Sequence, residues 1–466
     1  MSVTGARASS QSTVWWAVAA GVALGVAYTL SPLAVLVLAT VPLMWRWVSR
    51  DLSERERYWL SVVLVTATVV RLLAIGGLFL SASPSMPYAN FFGDEDPFKR
   101  RSIWIRNIGL GLPVSAADYI YTFDDVGRTA YLYVLAFVQA VVGEAPYGML
   151  LLNAAIYLVG MLALYRLVRS AYGGLAAFGG LTLLLFLPSL FAWSISALKE
   201  PPYMCLGALE IVAAVALVRS RGVWPRIGAA LCVVACAIGL QGLREGGMVL
   251  AVCGVGGGLV AAVVITRVRW LALSIVVVPL VVFAVLEQPA VQRRLPDLIY
   301  AVTYKHWGQV VTPGYTYKLL EPEVYADRSN LRKLAAPQVG RYVVRAVAAY
   351  AIVPAPWQIE SPAALAYLPQ QIVWYLLALL APIGAWIGLR RDRCVTCLLV
   401  CHAMAASLMV AVTSGNVGTL VRHRDLALPF IVWLSALGAV EVGRRVVARG
   451  AATAAPAFGV LKVSGS

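Results

Sequence analysis

Three consecutive carboxylates, Asp94, Glu95 and Asp96, stand beside three cations in the run Phe91-Phe92-Gly93-Asp94-Glu95-Asp96-Pro97-Phe98-Lys99-Arg100-Arg101. A carboxylate can take the proton of an attacking hydroxyl or ligate a hard divalent cation, and three in a row let one react while another orients it. The residues name no cofactor; a divalent cation is one they could hold, at Asp94 and Asp96 if anywhere. The competing reading is an ordinary solvated loop.

Three further groups of polar residues interrupt apolar sequence. Ser194-Ile195-Ser196-Ala197-Leu198-Lys199-Glu200-Pro201-Pro202 places Lys199 and Glu200 on a turn constrained by two prolines. Gln241-Gly242-Leu243-Arg244-Glu245-Gly246-Gly247 sets Arg244 where its planar guanidinium can fork onto a lipid phosphate, or else snorkel to the interface. Gly415-Asn416-Val417-Gly418-Thr419-Leu420-Val421-Arg422-His423-Arg424-Asp425 gathers Arg422, His423 and Arg424 beside a glycine-bearing turn, a set suited to clamp phosphate or pyrophosphate.

The elements that must position these groups are membrane helices. With 61% hydrophobic and 13% charged residues and a mean hydropathy of +0.79, the chain reads as an all-α polytopic membrane protein. Its net charge of +16 does not imply nucleic acid, because the arginines come in twos and threes between apolar runs. Runs long enough to cross lie at about 14–30, 33–49, 58–81, 147–167, 174–193, 203–219, 227–243, 246–265, 270–286, 367–389, 394–413 and 425–442, twelve in all.

Two shorter apolar stretches, 129–142 and 342–356, decide the topology. Read as interfacial helices, they put Arg50/Arg55/Arg57, Arg166/Arg169, Arg219/Arg221/Arg226, Arg267/Arg269, Arg390/Arg391/Arg393 and Arg444/Arg445 on one side, which is then cytoplasmic together with both termini. The other side receives two long polar segments, 82–128 and 287–341, and the turns with Lys199-Glu200, Arg244-Glu245 and Arg422-His423-Arg424-Asp425. Mixed charge on one side marks a site, and single-sign charge on the other marks anchoring.

Inside the spans, Arg71 and Glu210 are expected to pair with each other or with a polar residue such as Asn153. The seven cysteines all lie in apolar sequence, so no disulfide framework is implied, and Cys394, Cys397, Cys401 and His402 read as helix packing in preference to a zinc site. Gly254 to Gly258 are expected to let helices approach closely. The aromatics Tyr300, Tyr304, Trp307, Tyr315, Tyr317 and Tyr325 suit either sugar stacking or headgroup anchoring. The sequence before Thr13 and the run after it read as a retained anchor.

The order of these features resembles that of the GT-C membrane glycosyltransferases, in particular the bacterial relatives of protein O-mannosyltransferases and of aminoarabinose transferases. The resemblance runs through Gly93-Asp94-Glu95, Tyr131 to Gly143, Leu151-Leu152-Asn153 to Tyr165-Arg166, Phe178 to Pro188, Lys199-Glu200 and Arg422-His423-Arg424-Asp425-Leu426-Ala427-Leu428-Pro429, about residues 58 to 442. An extra hairpin, 14–49, precedes it, and Arg128-Thr129-Ala130-Tyr131 replaces the family's Tyr-Pro-Pro-Leu-like segment.

The region of resemblance, 58–442, is expected to be the catalytic membrane domain, with a head and the extra hairpin over 1–57 before it and a cytoplasmic tail over 443–466 after it. The resemblance implies Asp94 or Glu95 as catalytic base, Glu200 as a second acid and Arg422 or Arg424 as a ligand of the donor phosphate; Arg244, Lys199 and His423 join them by position. The implied donor is a polyprenyl-phosphate-linked sugar, and the acceptor a glycan, lipid or protein at the outer face of a bacterial plasma membrane. Two rival functions remain at this point: a polymerase or ligase of lipid-linked oligosaccharides, and a transporter or flippase, which would carry repeats and broken helices.

Overall fold

The structure is a computed structural model, and it describes residues 4–83, 89–125, 127–358, 365 and 368–454. It is all-α: among the described residues there is no strand, and an isolated antiparallel bridge joins Thr316 and Asn416. Backbone polar groups in hydrocarbon must be paired within their own segment, which leaves helices as the economical solution for such apolar runs.

In chain order the N-terminal helices are α1 (Thr4–Leu30), α2 (Leu33–Val48), α3 (Glu54–Leu80), α4 (Glu95–Gly109), α5 (Ala116–Thr122), α6 (Ala130–Val142) and α7 (Pro146–Tyr172). Then come α8 (Gly174–Phe186), α9 (Pro188–Ser194), α10 (Glu200–Arg219), α11 (Val223–Leu243), α12 (Gly247–Ala251), α13 (Gly257–Val264) and α14 (Val268–Leu286). The last seven are α15 (Pro289–Val311), α16 (Pro322–Ala326), α17 (Ala336–Ile352), α18 (Leu368–Arg391), α19 (Arg393–Thr413), α20 (Val417–Arg424) and α21 (Leu428–Ala454).

Among the described residues eight helices are long and apolar enough to span, and ten if each of two bent pairs counts once. The first two expected runs form α1 and the 16-residue α2. The end of the expected tail, 455–466, lies outside the described residues. The helix α6, 13 residues long, covers only about 20 Å at 1.5 Å per residue, too short for a ~30 Å hydrocarbon core. It lies against α4, with Gln139 Nε2 donating to Ser102 Oγ at 2.7 Å.

The expected single span 174–193 is broken: α8 and α9 meet at 65°. Pro188 has no N–H, so the carbonyl four residues earlier loses its helical donor. Tyr157 takes that carbonyl, Leu184 O, at 2.6 Å, and buried Arg71 takes the next, Leu185 O, at 3.0 Å. Arg71 also donates to Ser194 Oγ at 2.8 Å, so its partner is the kink and not Glu210. Glu210 instead lies 3.5 Å from His402 Nε2, both fully buried. That contact uses His402 of the Cys-rich stretch, which lines α19 as packing.

A second bend, 66°, separates α20 from α21. Helices α18 and α21 cross in close contact, where a Cβ on Gly384 would lie 1.7 Å from Leu434 O. Gly254, in a π-helical turn between α12 and α13, faces the His402 ring, which a Cβ there would meet at 2.6 Å. Both are close approaches that only glycine allows.

The two ends of the bundle differ in chemistry. At one end basic residues bind the ends of neighbouring helices: Arg166 to Trp47 O at 2.6 Å, Arg169 to Glu56 at 2.9 Å, Arg391 to Tyr172 O at 2.6 Å, and Arg219 to Asp392. At the other end the four polar groups singled out in the sequence meet.

Candidate active site

Of the three adjacent carboxylates, the structure gives each a different environment. Glu95 opens α4 and is fully buried. Its Oε1 accepts the backbone N–H groups of Phe91 at 3.1 Å and Phe92 at 3.0 Å, and its Oε2 accepts that of Ala197 at 2.9 Å. Lys99 Nζ lies 3.7 Å away, itself buried and held below the usual lysine range by desolvation, with Glu95 opposing the shift. Glu95 thus spends its lone pairs tying the acidic loop to the 195–199 turn. Asp96 is paired with Arg100 at 2.7 Å. Asp94 keeps its side chain 64% exposed, with Oδ2 2.7 Å from Arg422 Nη2.

The turn before α10 is held from below, where Asn153 Nδ2 donates to the carbonyls of Ser196 at 2.7 Å and Leu198 at 2.8 Å. Pro201 and Pro202 fit the first turn of α10, whose N–H groups have no helical partner in any case. Glu200 is buried, with Oε1 3.7 Å from Arg244 Nη1 and Oε2 without a hydrogen-bond partner. Lys199 lies over the Phe98 ring at 5.9 Å. Burial holds it below the usual lysine range, and Glu200 opposes that shift.

Arg244 ends α11 in extended conformation, and Gly246, at φ 87°, makes the reversal into α12 that a side chain would strain. The Arg244 Nη2 atom comes within 3.4 Å of His423 Nε2. Beside it, Glu245 is paired with Lys305 of α15 at 2.7 Å, and this ammonium holds the Glu245 carboxyl below its ordinary range.

The short helix α20 begins at Asn416, whose Oδ1 accepts the N–H groups of Gly418 at 2.9 Å and Thr419 at 3.3 Å. The Arg422 guanidinium sits 5.0 Å from the Phe92 ring centroid and 4.8 Å from that of Trp193, so two aromatic faces fix it against Asp94. Arg424, two residues on, is turned about 200° around the helix and points the other way. It is buried, donates to Gln371 Oε1 at 2.7 Å and to the carbonyls of Tyr350 and Val353, and packs on Trp374. Asp425 follows, accepting from Ser189 Oγ at 3.1 Å and Trp193 Nε1 at 2.9 Å.

The structure therefore brings Asp94, Lys199, Glu200, Arg244, Arg422 and His423 to one end of the bundle, places Glu95 beneath them as an anchor, and turns Arg424 away. Sequence reasoning did not single out Phe92, Trp193 or Lys305, and the pairing of Trp193 with Arg422 leaves no local spacing signal. Among the described residues no three His, Cys, Asp or Glu side chains gather closely enough to hold a metal ion. In this structure Asp94 is paired with Arg422 and Asp96 with Arg100.

No family model matches the sequence, and no curated protein matches it. Among solved structures the chain is similar to the crystal structure of ArnT from Cupriavidus metallidurans bound to undecaprenyl phosphate, with 14% identity and a TM-score of 0.48 over 87% of this chain. The chain spans 66% of the length of that one.

Proposed function

We propose that this chain is a membrane glycosyltransferase that moves a sugar from a polyprenyl phosphate to an acceptor at the outward face of the plasma membrane, with residues 58–442 as its catalytic domain and both termini cytoplasmic. The observation that carries this reading is the pairing of one exposed carboxylate, Asp94, with Arg422, next to Arg244 and Lys199. Asp94 takes the proton of the acceptor hydroxyl as its oxygen attacks the anomeric carbon. The bond from that carbon to the phosphate oxygen breaks, and the pair of electrons leaves with the polyprenyl phosphate. Arg422 and Arg244 stabilise the charge gathering there, Arg422 already oriented by its two rings and so with little entropy left to lose.

The test is turnover by purified protein in nanodiscs supplied with a polyprenyl-phosphate-linked sugar, alongside binding of a polyprenyl monophosphate. Asp94→Asn keeps the shape and removes the base, so turnover falls about 100-fold or more while lipid-phosphate binding persists. Full turnover by that variant refutes the assignment of the base. The two broken helix pairs favour a second reading, transport of the lipid, since transporters build sites at such breaks. Lipid translocation in vesicles without consumption of the sugar linkage would select it.

A further inference from the structure

The helix that carries Arg422 and His423 is held from outside itself. It starts from Ser414-Gly415-Asn416, and this turn is bonded to the segment 306–317. Gln309 Oε1 accepts Gly415 N–H at 2.8 Å; Tyr317 N–H donates to Gly415 O at 3.0 Å, and Val417 N–H to Tyr315 O at 2.8 Å. Ser414 O accepts both the Tyr317 hydroxyl at 2.8 Å and Nδ1 of His306 at 2.7 Å. A Cβ on Gly415 would lie 2.5 Å from His306 O, so the two backbones are in contact.

His306 is fully buried, and its hydrogen bonds define its tautomer. A carbonyl oxygen only accepts, so Nδ1 carries a hydrogen. The Tyr325 hydroxyl accepts the N–H groups of Leu319 at 2.9 Å and Leu320 at 3.1 Å. Its own hydrogen is then directed to Nε2 of His306, 2.9 Å away. Nε2 is therefore bare and the ring neutral; a second proton would face a hydroxyl whose lone pairs are already used. Burial pushes His306 down to about 4, with the Ser414 carbonyl opposing, which keeps the ring in this form at neutral pH.

We propose that His306 is a positioning residue: by joining Ser414 O to the Tyr325 hydroxyl, it fixes the start of α20 and so the placement of Arg422 against Asp94. Its enzymatic consequence rests on the phosphate-binding role proposed above; its geometric consequence does not. Two measurements separate them. In Cys-free full-length protein carrying cysteines at positions 94 and 422, cross-linking by a short bis-methanethiosulfonate reads the placement of α20 directly. His306→Asn, which keeps one hydrogen-bonding group near Ser414 and loses the link to Tyr325, slows that cross-linking several-fold. Tyr325→Phe, which leaves the imidazole in place, does the same.

In protein with native residues 94 and 422, each variant weakens binding of a polyprenyl monophosphate about 10-fold, the value of roughly one net hydrogen bond, and lowers kcat/KM by at least as much, kcat falling with it because Arg422 also meets the leaving phosphate. In an Arg422→Ala background His306→Asn adds no further loss, because the two act through one contact. Cross-linking at the parent rate in both variants, or losses that add fully with Arg422→Ala, overturns the proposal. Slower cross-linking in a protein that shows no affinity for the lipid phosphate supports the positioning role and refutes the transferase reading.

Discussion

Glu95→Gln is the substitution that most sharply separates the two neighbouring carboxylates. In the native protein the buried carboxylate accepts three backbone N–H groups and faces a buried ammonium at 3.7 Å. The amide keeps one oxygen, enough for Phe91 and Phe92, but turns an NH₂ toward the N–H of Ala197 and toward Lys99. One charge-assisted hydrogen bond, about 1.5–3 kcal/mol, is lost, and buried Lys99 loses its nearest carboxylate while keeping Asn90 Oδ1 and the field of Asp96, so that breaking the pair costs up to about 3–5 kcal/mol. The two losses overlap, so a total of up to about 3–5 kcal/mol is expected, a large share of an ordinary stability of about 5–15 kcal/mol. Thermal or denaturant unfolding of the purified protein in detergent, followed by thiol-reactive dye or fluorescence, reads this. Glu95→Gln with Lys99→Met should recover part of the loss, since the buried ammonium is gone. A Glu95→Gln protein that unfolds at the wild-type midpoint but has lost turnover would refute the reasoning, and Glu95 would replace Asp94 as base.

Arg422→Ala and Arg244→Ala should each weaken polyprenyl-phosphate binding about 10-fold or more while leaving the unfolding midpoint close to wild type, whereas Arg424→Ala should lower the midpoint by several degrees, because buried carbonyls lose their donor; calorimetry and thermal scans on the same samples distinguish them. The stability of the chain should fall on acidification through His306: its folded pKa, about 4, lies below the unfolded ~6.5, so the unfolded state holds more protons in between. That contribution is complete above about pH 6.5 and is lost toward pH 4, on the order of 3 kcal/mol, and His306→Asn should flatten the dependence of the unfolding midpoint on pH. Cysteines at Ser115 and Ser170 in Cys-free protein should label from opposite sides of the membrane; labelling of both from one side contradicts the arrangement in which α6 does not cross.

Much of the architecture could be read from the chain because lipid imposes a coarse rule. Apolar runs of about 20 residues become helices whatever their details, and arginine clusters mark one end. The convergence of the acidic loop with the turns at Lys199, Arg244 and Arg422 was legible in the same way, as mixed charge on one side. What could not be read was direction. Arg422 and Arg424 have the same type and lie two residues apart, yet helical geometry sends one between Phe92 and Trp193 and the other into Gln371 and backbone carbonyls. Asp94 and Glu95 are adjacent too, and their division into exposed group and buried anchor depends on Ala197, about a hundred residues away. Arg71 and Glu210 each meet a polar residue, Ser194 and His402, but neither each other nor Asn153, for the same reason: the kink at Pro188 exposes carbonyls that compete for Arg71, and the glycine-lined π turn makes room for His402 beside Glu210.

The carboxylate of Asp425 begins the corner between α20 and α21 and receives Ser189 and Trp193 from the far side of the other corner, 236 positions away in the chain from Ser189. Two corners that share one acceptor behave as a single joint. Neither helix can straighten without withdrawing hydrogen-bond partners from its neighbour, so drift at Pro188 and drift at Asp425 are tied to one another. A lineage that loses one kink inherits a penalty at the other, and the sequences that survive should have kept both or abandoned both. Because Trp193 also forms one wall behind Arg422, abandoning the joint would dismantle the guanidinium's seat as well.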